Sequence, residues 1–369
     1  MQCKNCILDD EGCTTISFNA DGVCNYCLEY QSTYNEKNIH TKFSSGNLSK
    51  ILEQIKTNGK GKKYDCLLGV SGGVDSSYLA FLCKEYGLRP LIIHLDNGLN
   101  SELSVINIQN LLNKLGFDYR THIIDWEEFR QMQRAFLRAG VIDIEALTDH
   151  AILATMLKMA KQYNIKYVLS GFNYATEAIM PKGWTWKKED WINIKDICEK
   201  NGFTDFKTYP HLPFYKKLYY NFVLKMEVVQ LLNFISYDKE KAKQLLKERF
   251  EWKDYGGKHF ESVFTRFYQS YILPKKFGVD KRKAHLSNLI LSKQITREQA
   301  LEELKKPICD QTQLQEDKSY VLKKLGFNEG EFGTIMRFKP ALHSDYKTES
   351  SYWNKYFKLV KLIKKVTFR

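Results

Sequence analysis

Between Tyr64 and Gly171 the chain alternates short apolar runs with segments of helical period. "YDCLLGV", "PLIIHLDNG", "YRTHIID" and "IKYVLSG" read as buried strands bounded by Gly, Asn and Asp. Between them, "SSYLAFLCKEYG" sets Leu79, Leu82, Cys83 and Tyr86 on one helical face and stops at Gly87. "ELSVINIQNLLNKLG" does the same with Val105, Ile108, Leu112 and Leu115 before Gly116, and "TDHAILATMLKMAKQYN" is a long helix. Strands alternating with helices predict parallel pairing and a doubly wound α/β sheet. In such sheets ligands lie beyond the carboxyl ends of the strands. The segments "SGGVDSS", "HLDNG" and "SGFNYATE" all fall there, so they are expected to converge.

The flanks read differently. Residues 1–30 form a cysteine-bearing ribbon, and 31–62 a polar linker followed by a short helix, "LSKILEQIKTNGKGKK". Residues 63–180 are the α/β core. From 181 to 369 the regular alternation is lost: "MPKGWTWKKEDW" reads as a loop over the site, and the region from about 215 onward as mostly helical. The final "YWNKYFKLVKLIKKVTFR" sets Phe357, Val360 and Ile363, and Leu359, Leu362 and Val366, among lysines. It fits a helix packed on its own domain, a docking face or a membrane-surface helix. No apolar run reaches the roughly 20 residues that span a bilayer, so no transmembrane segment is expected. "MQCKNCILDD" lacks a basic n-region and an apolar h-region, which predicts a cytoplasmic protein.

A chain of 369 residues, 43% apolar, can bury a large core spread over two or three domains. The 56 Lys and Arg against 43 Asp and Glu leave +13, which favours an anionic partner such as a nucleotide, a charged sugar or RNA. Four of the nine cysteines are spaced as Cys3-x2-Cys6 and Cys24-x2-Cys27. Two such knuckles close a tetrahedral all-thiolate site, so a structural zinc is expected and no catalysis is assigned to it. Cys13 is the spare, while Cys66, Cys83, Cys198 and Cys309 are scattered singly and read as core.

The glycine turn "SGGVDSS" has no lysine of the Walker kind. Successive backbone N–H groups and the amino end of the following helix can nevertheless hold phosphate oxygens. Ser71 and Ser76 add hydroxyl donors, and Asp75 is placed to hold Mg2+. The string resembles the PP-loop of the N-type ATP pyrophosphatases, which split ATP between the α- and β-phosphates. That resemblance implies an ATP site made of Ser71, Gly72, Gly73, Val74, Asp75, Ser76 and Ser77. It adds His94 and Asp96 on the adenine strand and Gly171 closing the pocket.

Over nearly its whole length the chain resembles the N-acetyl sugar amidotransferases of bacterial surface-glycan biosynthesis. The likeness is carried by "CKNCILDDEGCTTISFNADGVCNYC", "SGGVDSSYLA", "TDHAI", "YGGKHFESVFTRFYQSYILPKKFGVDKRKAHLSNLI" and "ITREQALEEL". It implies O-adenylation of an acetamido group, displacement of AMP by ammonia, and an acetamidino product on a nucleotide-linked uronic acid or a nonulosonic acid. ATP, Mg2+ and a structural Zn2+ are the cofactors, and no nucleic acid is expected. Asp75, Lys258, His259, Arg266, Lys281 and Arg282 are the catalytic candidates, with Lys283 and His285 beside them. Asp149 and His150 in "TDHAI" read as helix-capping, with a place facing the site as the alternative. Position 2 is Gln2 and no cysteine sits in a nucleophile elbow, so ammonia is expected from a separate glutaminase of the histidine-biosynthesis kind with its cyclase-like partner. The alternatives are a PP-loop tRNA-thiolating enzyme, disfavoured because Cys66 and Cys83 lie off the strand ends, and a non-catalytic nucleotide-binding scaffold.

Overall fold

The computed structural model describes residues 1–34, 45–257, 260–354 and 356. Five parallel strands form one sheet: β1 Cys66–Gly69, β2 Pro90–Asp96, β3 Tyr119–Ile123, β4 Tyr167–Leu169 and β5 Glu227–Val229. Their order is β3-β2-β1-β4-β5, with Leu68 level with Ile92 on one side and Leu169 on the other. The chain lays β2 and β3 to one side of β1, then returns to place β4 and β5 on the other. Strand order therefore reverses between β1 and β4, where doubly wound sheets open a crevice. The expected α/β sheet is the one observed.

Period-2 alternation buries both faces of this sheet. Cys66 and Leu68 of β1, Ile92 of β2 and Leu169 of β4 meet the helices Val74–Glu85, Glu102–Leu115 and Lys239–Phe250. Leu67, Leu91, Ile93 and Val168 point the other way, onto Met156 and Ala160 of the helix Ala146–Gln162. Leu68 is fully buried, and truncating such a side chain to Ala costs about 2–5 kcal/mol.

Several expectations needed correcting. Val105 is 52% exposed, and Leu111 takes its place on the buried face, so the packed stripe is rotated from the one read in sequence. The helix Trp126–Ala139 had not been anticipated because its charged residues mask the stripe Phe129, Met132 and Phe136, which packs on the carboxy-terminal region. The edge strand β5 is three residues long and carries no alternation to read. The stretch read as a loop over the site gives way at Trp191 to a helix, Trp191–Lys200. Asp149 and His150 do not cap; the N-cap of their helix is Glu145, without a side-chain bond. Cys66, Cys83 and Cys198 are core, but Cys309 is only half-buried. The region after 215 is helical as expected, through Lys239–Phe250, Arg282–Leu291, Arg297–Lys305, Gln311–Leu325 and Glu329–Arg337. The terminal lysine-rich sequence lies outside the described residues beyond Tyr356.

Two histidines are locked into the core in uncharged form. His150 is fully buried, with Nδ1 against the Lys188 carbonyl at 2.7 Å and Nε2 accepting from Leu212 N at 3.0 Å. Burial pushes it down to about 3. His343 accepts from Asp143 N at 3.3 Å and stacks on Trp186, and burial pushes it down to about 4. The unfolded chain, with both rings near 6.5, binds protons that the folded chain refuses. Their contribution is full above that value and is lost as pH falls toward 4 and then 3, by up to about 1.4 kcal/mol per pH unit for each ring. Urea unfolding between pH 7.5 and 5 is expected to show this slope. His150→Gln and His343→Gln should each flatten it; an unchanged slope in both would show that these rings do not titrate on unfolding.

Candidate active site

The carboxyl end of β1 runs into Val70, Ser71, Gly72 and Gly73, then the helix Val74–Glu85. Gly72 sits at φ +87°, and a Cβ there would meet Tyr255 Oη at 2.9 Å and the Ser104 carbonyl at 3.0 Å. Its own carbonyl accepts from Trp252 Nε1 at 2.8 Å and Tyr255 Oη at 3.0 Å. Gly73 is the N-cap and offers no side-chain acceptor, so the first-turn N–H groups are left for a ligand. Ser71 and Ser76 Oγ atoms lie 3.4 Å apart across the turn. Gly171, after β4, comes so close that a Cβ would lie 3.3 Å from Ser76 N. This cradle is one that side chains would fill, which fits a bound polyphosphate.

Asp75, in the first turn, is gripped from two sides. Asn173 Nδ2 donates to its Oδ1 at 3.3 Å, and the Tyr237 hydroxyl donates to the same oxygen. Burial and then the Asp75 charge push the Tyr237 phenol well above its ordinary value, so it remains a donor. Glu261 stands opposite, with Oε1 accepting from Ser71 Oγ at 3.2 Å. Two carboxylates beside a backbone anion cradle are a donor set suited to Mg2+.

Three cavities meet here. One of about 150 Å³ is lined by Gly73, Asp75, Ser76 and Gly171 together with Lys239 and Lys243. Although burial opposes its charge, a hydrogen bond to Asp254 keeps the Lys243 ammonium above its usual value. A second, of about 430 Å³, lies over the ends of β1 and β2, with Leu95, Ile152, Met156 and Met180 on its apolar wall and Glu145, Asp149, Lys188 and Lys281 on its polar one. Burial opposes the Lys188 charge as well, but the carboxylates of Asp143 and Asp149 hold it above its usual value. The third, of about 630 Å³, shares Gln269, Lys281 and His285 with the second and Lys239, Lys243 and Tyr255 with the first.

The sequence-derived residues distribute unevenly over this space. Ser71, Gly73, Val74, Asp75, Ser76, Gly171 and His94 line the cavities. His94 is held by Val70 O at 2.9 Å from Nδ1 and by Asn100 Nδ2 at 3.3 Å from Nε2. Ser77 is fully buried, because the helix turns it into the core, and it does not reach the ligand space. Asp96 instead accepts Gly98 N at 2.8 Å and shapes the turn after β2. Lys281 lies between two cavities, 3.1 Å from Glu145. Arg266 lines the third cavity, but its fork is filled by Asp317 at 2.6 and 2.8 Å. Arg282 is filled by Asp280 and caps the Lys306 carbonyl at 2.8 Å. Lys283 points away, to Asp9 at 2.5 Å. Lys258 and His259 lie outside the described residues. Tyr237, Lys239, Lys243 and Glu261 were missed, since each comes to the turn from more than 150 positions downstream; Glu261 does lie within "YGGKHFESVFTR", whose basic residues drew the site reading instead. Asn173 was legible as the N-cap within "SGFNYATE".

At the amino terminus Cys3, Cys6, Cys24 and Cys27 bring their sulfurs within 4.8 Å of one another. Cys3–Cys27 and Cys6–Cys24 are each 3.8 Å apart, the edge of a tetrahedron with Zn–S bonds of about 2.3 Å. Cys24 N donates to Cys3 Sγ at 3.2 Å and Leu8 N to Cys6 Sγ at 3.5 Å. The Cys6 thiol holds Cys3 down to about 6, while its hydrogen bonds with Cys24 and the other thiols push Cys6 far up. Four thiolates can share this space only around a cation, so the donor set fits zinc. The ribbon docks on the carboxy-terminal region: Trp184 Nε1 donates to the Gly12 carbonyl at 2.8 Å, and Arg297 to the carbonyls of Cys6 and Cys3 at 3.0 and 3.2 Å.

Residues 261–361 match the family model described as LPS biosynthesis protein WbpG-like, C-terminal domain. Over those residues the chain is similar to that family. Recognition of a surface-glycan family from the sequence is thereby borne out. Among curated relatives, the tRNA(Ile)-lysidine synthase of Thermus thermophilus is 28% identical over 114 residues, 30% of this chain. The chain spans only 21% of that protein's length. Solved structures with a likeness include the NH3-dependent NAD synthetase of Campylobacter jejuni, 15% identical over 55% of this chain and 92% of that one, TM-score 0.30. Another is the NMN synthetase of Francisella tularensis, 15% identical over 57% and 88%, TM-score 0.28. Scores this low carry no argument; the WbpG-like assignment rests on the family match, and the fold on the strand order above.

Cys24→Ser is expected to abolish a single bound zinc in elemental analysis and to lower the unfolding temperature, since structural zinc contributes directly to folding. Retention of metal by the variant would refute the four-thiolate site.

Proposed function

We propose that this WbpG-like protein is an ATP-dependent, AMP-forming amidotransferase that converts an acetamido group of a surface-glycan sugar to an acetamidino group. The observation that carries this reading is the junction of cavities. A phosphate cradle and an apolar slot over β1 and β2 share Ser71, Ser76 and Glu261, and a larger chamber joins the slot at Lys281 and the cradle at Lys239 and Lys243.

An acetamido carbon is a poor electrophile because its nitrogen donates into the carbonyl. Attack of the amide oxygen on the α-phosphorus forms an O–P bond and expels pyrophosphate. Ammonia then adds to the activated carbon, the C–O bond breaks, and AMP leaves with the former amide oxygen. The product keeps the sugar nitrogen and gains a second one on the same carbon. Such a transfer rests on in-line placement and charge neutralisation rather than on a covalent protein nucleophile.

In this reading the backbone at Gly73 to Ser76, with Lys239 and Lys243, holds the leaving pyrophosphate. Asp75 and Glu261 would hold Mg2+, which neutralises the phosphates. Lys281, between nucleotide and acceptor chambers, faces the α-phosphate and the amide oxygen. Arg266 and Arg282, already paired, brace the acceptor wall. Ammonia is supplied by a separate glutaminase of the histidine-biosynthesis kind with its cyclase-like partner. The lysidine synthase likeness keeps a tRNA substrate as the second reading. Against thiolation, Cys66 and Cys83 are fully buried together in the core.

The full chain with ATP, Mg2+, ammonium and a panel of diacetamido sugars is expected to yield AMP, pyrophosphate and a sugar lighter by the exchange of O for NH. Release of ADP, or activity on tRNA with none on sugars, would overturn the reading. Glutamine alone should not replace ammonium until the glutaminase is added. Asp75→Asn should lower pyrophosphate release by about 10²-fold or more with an unchanged circular dichroism spectrum. Full activity in that variant would remove Asp75 from the site.

A further inference from the structure

The helix Phe214–Leu218 and the wide helical turn Tyr219–Val223 that continues it are packed inside out. The charged residue faces inward: Lys217 is 5% exposed, and its ammonium donates to the Glu189 carbonyl and the Glu349 carboxylate. Tyr220 is buried, but four apolar residues face outward: Tyr215, Tyr219, Phe222 and Val223 are 68%, 36%, 57% and 65% exposed. They stand at i, i+4, i+7 and i+8, the spacing that an ordinary surface helix buries. Val228, on the edge strand β5, is 57% exposed nearby in sequence. Single exposed apolar residues are normal, but a stripe of them marks an interaction surface.

The surroundings of the stripe are basic. Lys161 lies over the Tyr219 ring at 4.9 Å, and Lys216 and Lys225 flank the stripe in sequence. The one acid between 214 and 228, Glu227, is paired with Lys166 at 2.6 Å. The carboxy-terminal segment arrives at the same place, with Trp353 at 4.9 Å from Phe214 and Tyr356 at 5.9 Å from Phe222.

We propose that this stripe, with the lysines around it, docks the protein on an anionic lipid surface. Aromatic rings that enter the headgroup boundary, rimmed by lysines that meet acidic phospholipids, are the composition such docking requires. A nucleic acid would match the lysines but leave Phe222, Val223 and Val228 without a partner. Among the described residues no helix is long and apolar enough to cross a membrane, so the attachment is peripheral. It places the enzyme's chemistry beside a membrane and does not depend on which sugar the active site takes.

Flotation of the full chain with phosphatidylglycerol-containing vesicles tests this. Binding is expected to these vesicles and not to pure phosphatidylcholine, and to weaken as salt rises. Phe222→Ser with Val223→Ser should reduce partitioning on the order of tenfold or more, as should Lys216→Glu with Lys225→Glu. Neither pair lines the cavities, and the unfolding temperature should stay unchanged in both. No binding to anionic vesicles, equal binding to uncharged ones, or unchanged binding in both variants would overturn the proposal. So would a dimer in sedimentation that Phe222→Ser dissociates, or release from vesicles by competing RNA.

Discussion

The close approach of glycine backbones at the β1–β4 switch point is the constraint on which the site depends. Gly72 turns in a region that side chains rarely adopt, and its carbonyl is pinned by Trp252 and Tyr255. Gly171 leans against the amide of Ser76. A Cβ at Gly72 would collide with Tyr255 and the Ser104 carbonyl, and one at Gly171 would press on the Ser76 amide at the cradle. The elements that arrive late in the chain are arranged to keep this turn fixed. Tyr237 and Asn173 clamp Asp75, and Glu261 holds Ser71.

Around that turn the positive charge is divided by residue type. The arginines examined are committed to structure: Arg266 grips Asp317, Arg282 grips Asp280, and Arg297 holds the carbonyls of the cysteine knuckles. A planar guanidinium fork suits such fixed, two-pronged bracing. The lysines at the cavity junction keep compact ammonium groups near the ligand space. The four-thiolate ribbon belongs to the same scheme, because Lys283 ties it to the helix Arg282–Leu291 that walls the acceptor chamber. A metal held by the four cysteines would thus stiffen a wall contributed by a residue 274 positions away from Asp9.

The inside-out helix is the other half of the design. The buried pair Lys217–Glu349 fastens it to the carboxy-terminal segment, and this leaves its aromatic face outward. Charge inside and rings outside is an arrangement that stability of the isolated chain does not demand, so a partner surface accounts for it better than packing does.

Much of the core was legible in the sequence. The strands, the glycine turn, the paired cysteines and the helices after Ser71 and Ser101 follow from local periodicity, which each segment carries within itself. Local reading failed where a residue's surroundings came from far along the chain. It could not see that Ser77 faces the core or that Arg266 is already filled, and it could not decide whether Asp149 caps its helix or faces a cavity. What the sequence by itself determined was the chemistry of the β1 turn and of the cysteine knuckles, because neighbouring residues suffice for both. What only the tertiary structure decided was which distant side chains, Tyr237, Lys243 and Glu261, stand around that turn. Their positions depend on packing between elements, for which no short stretch of sequence carries a signal.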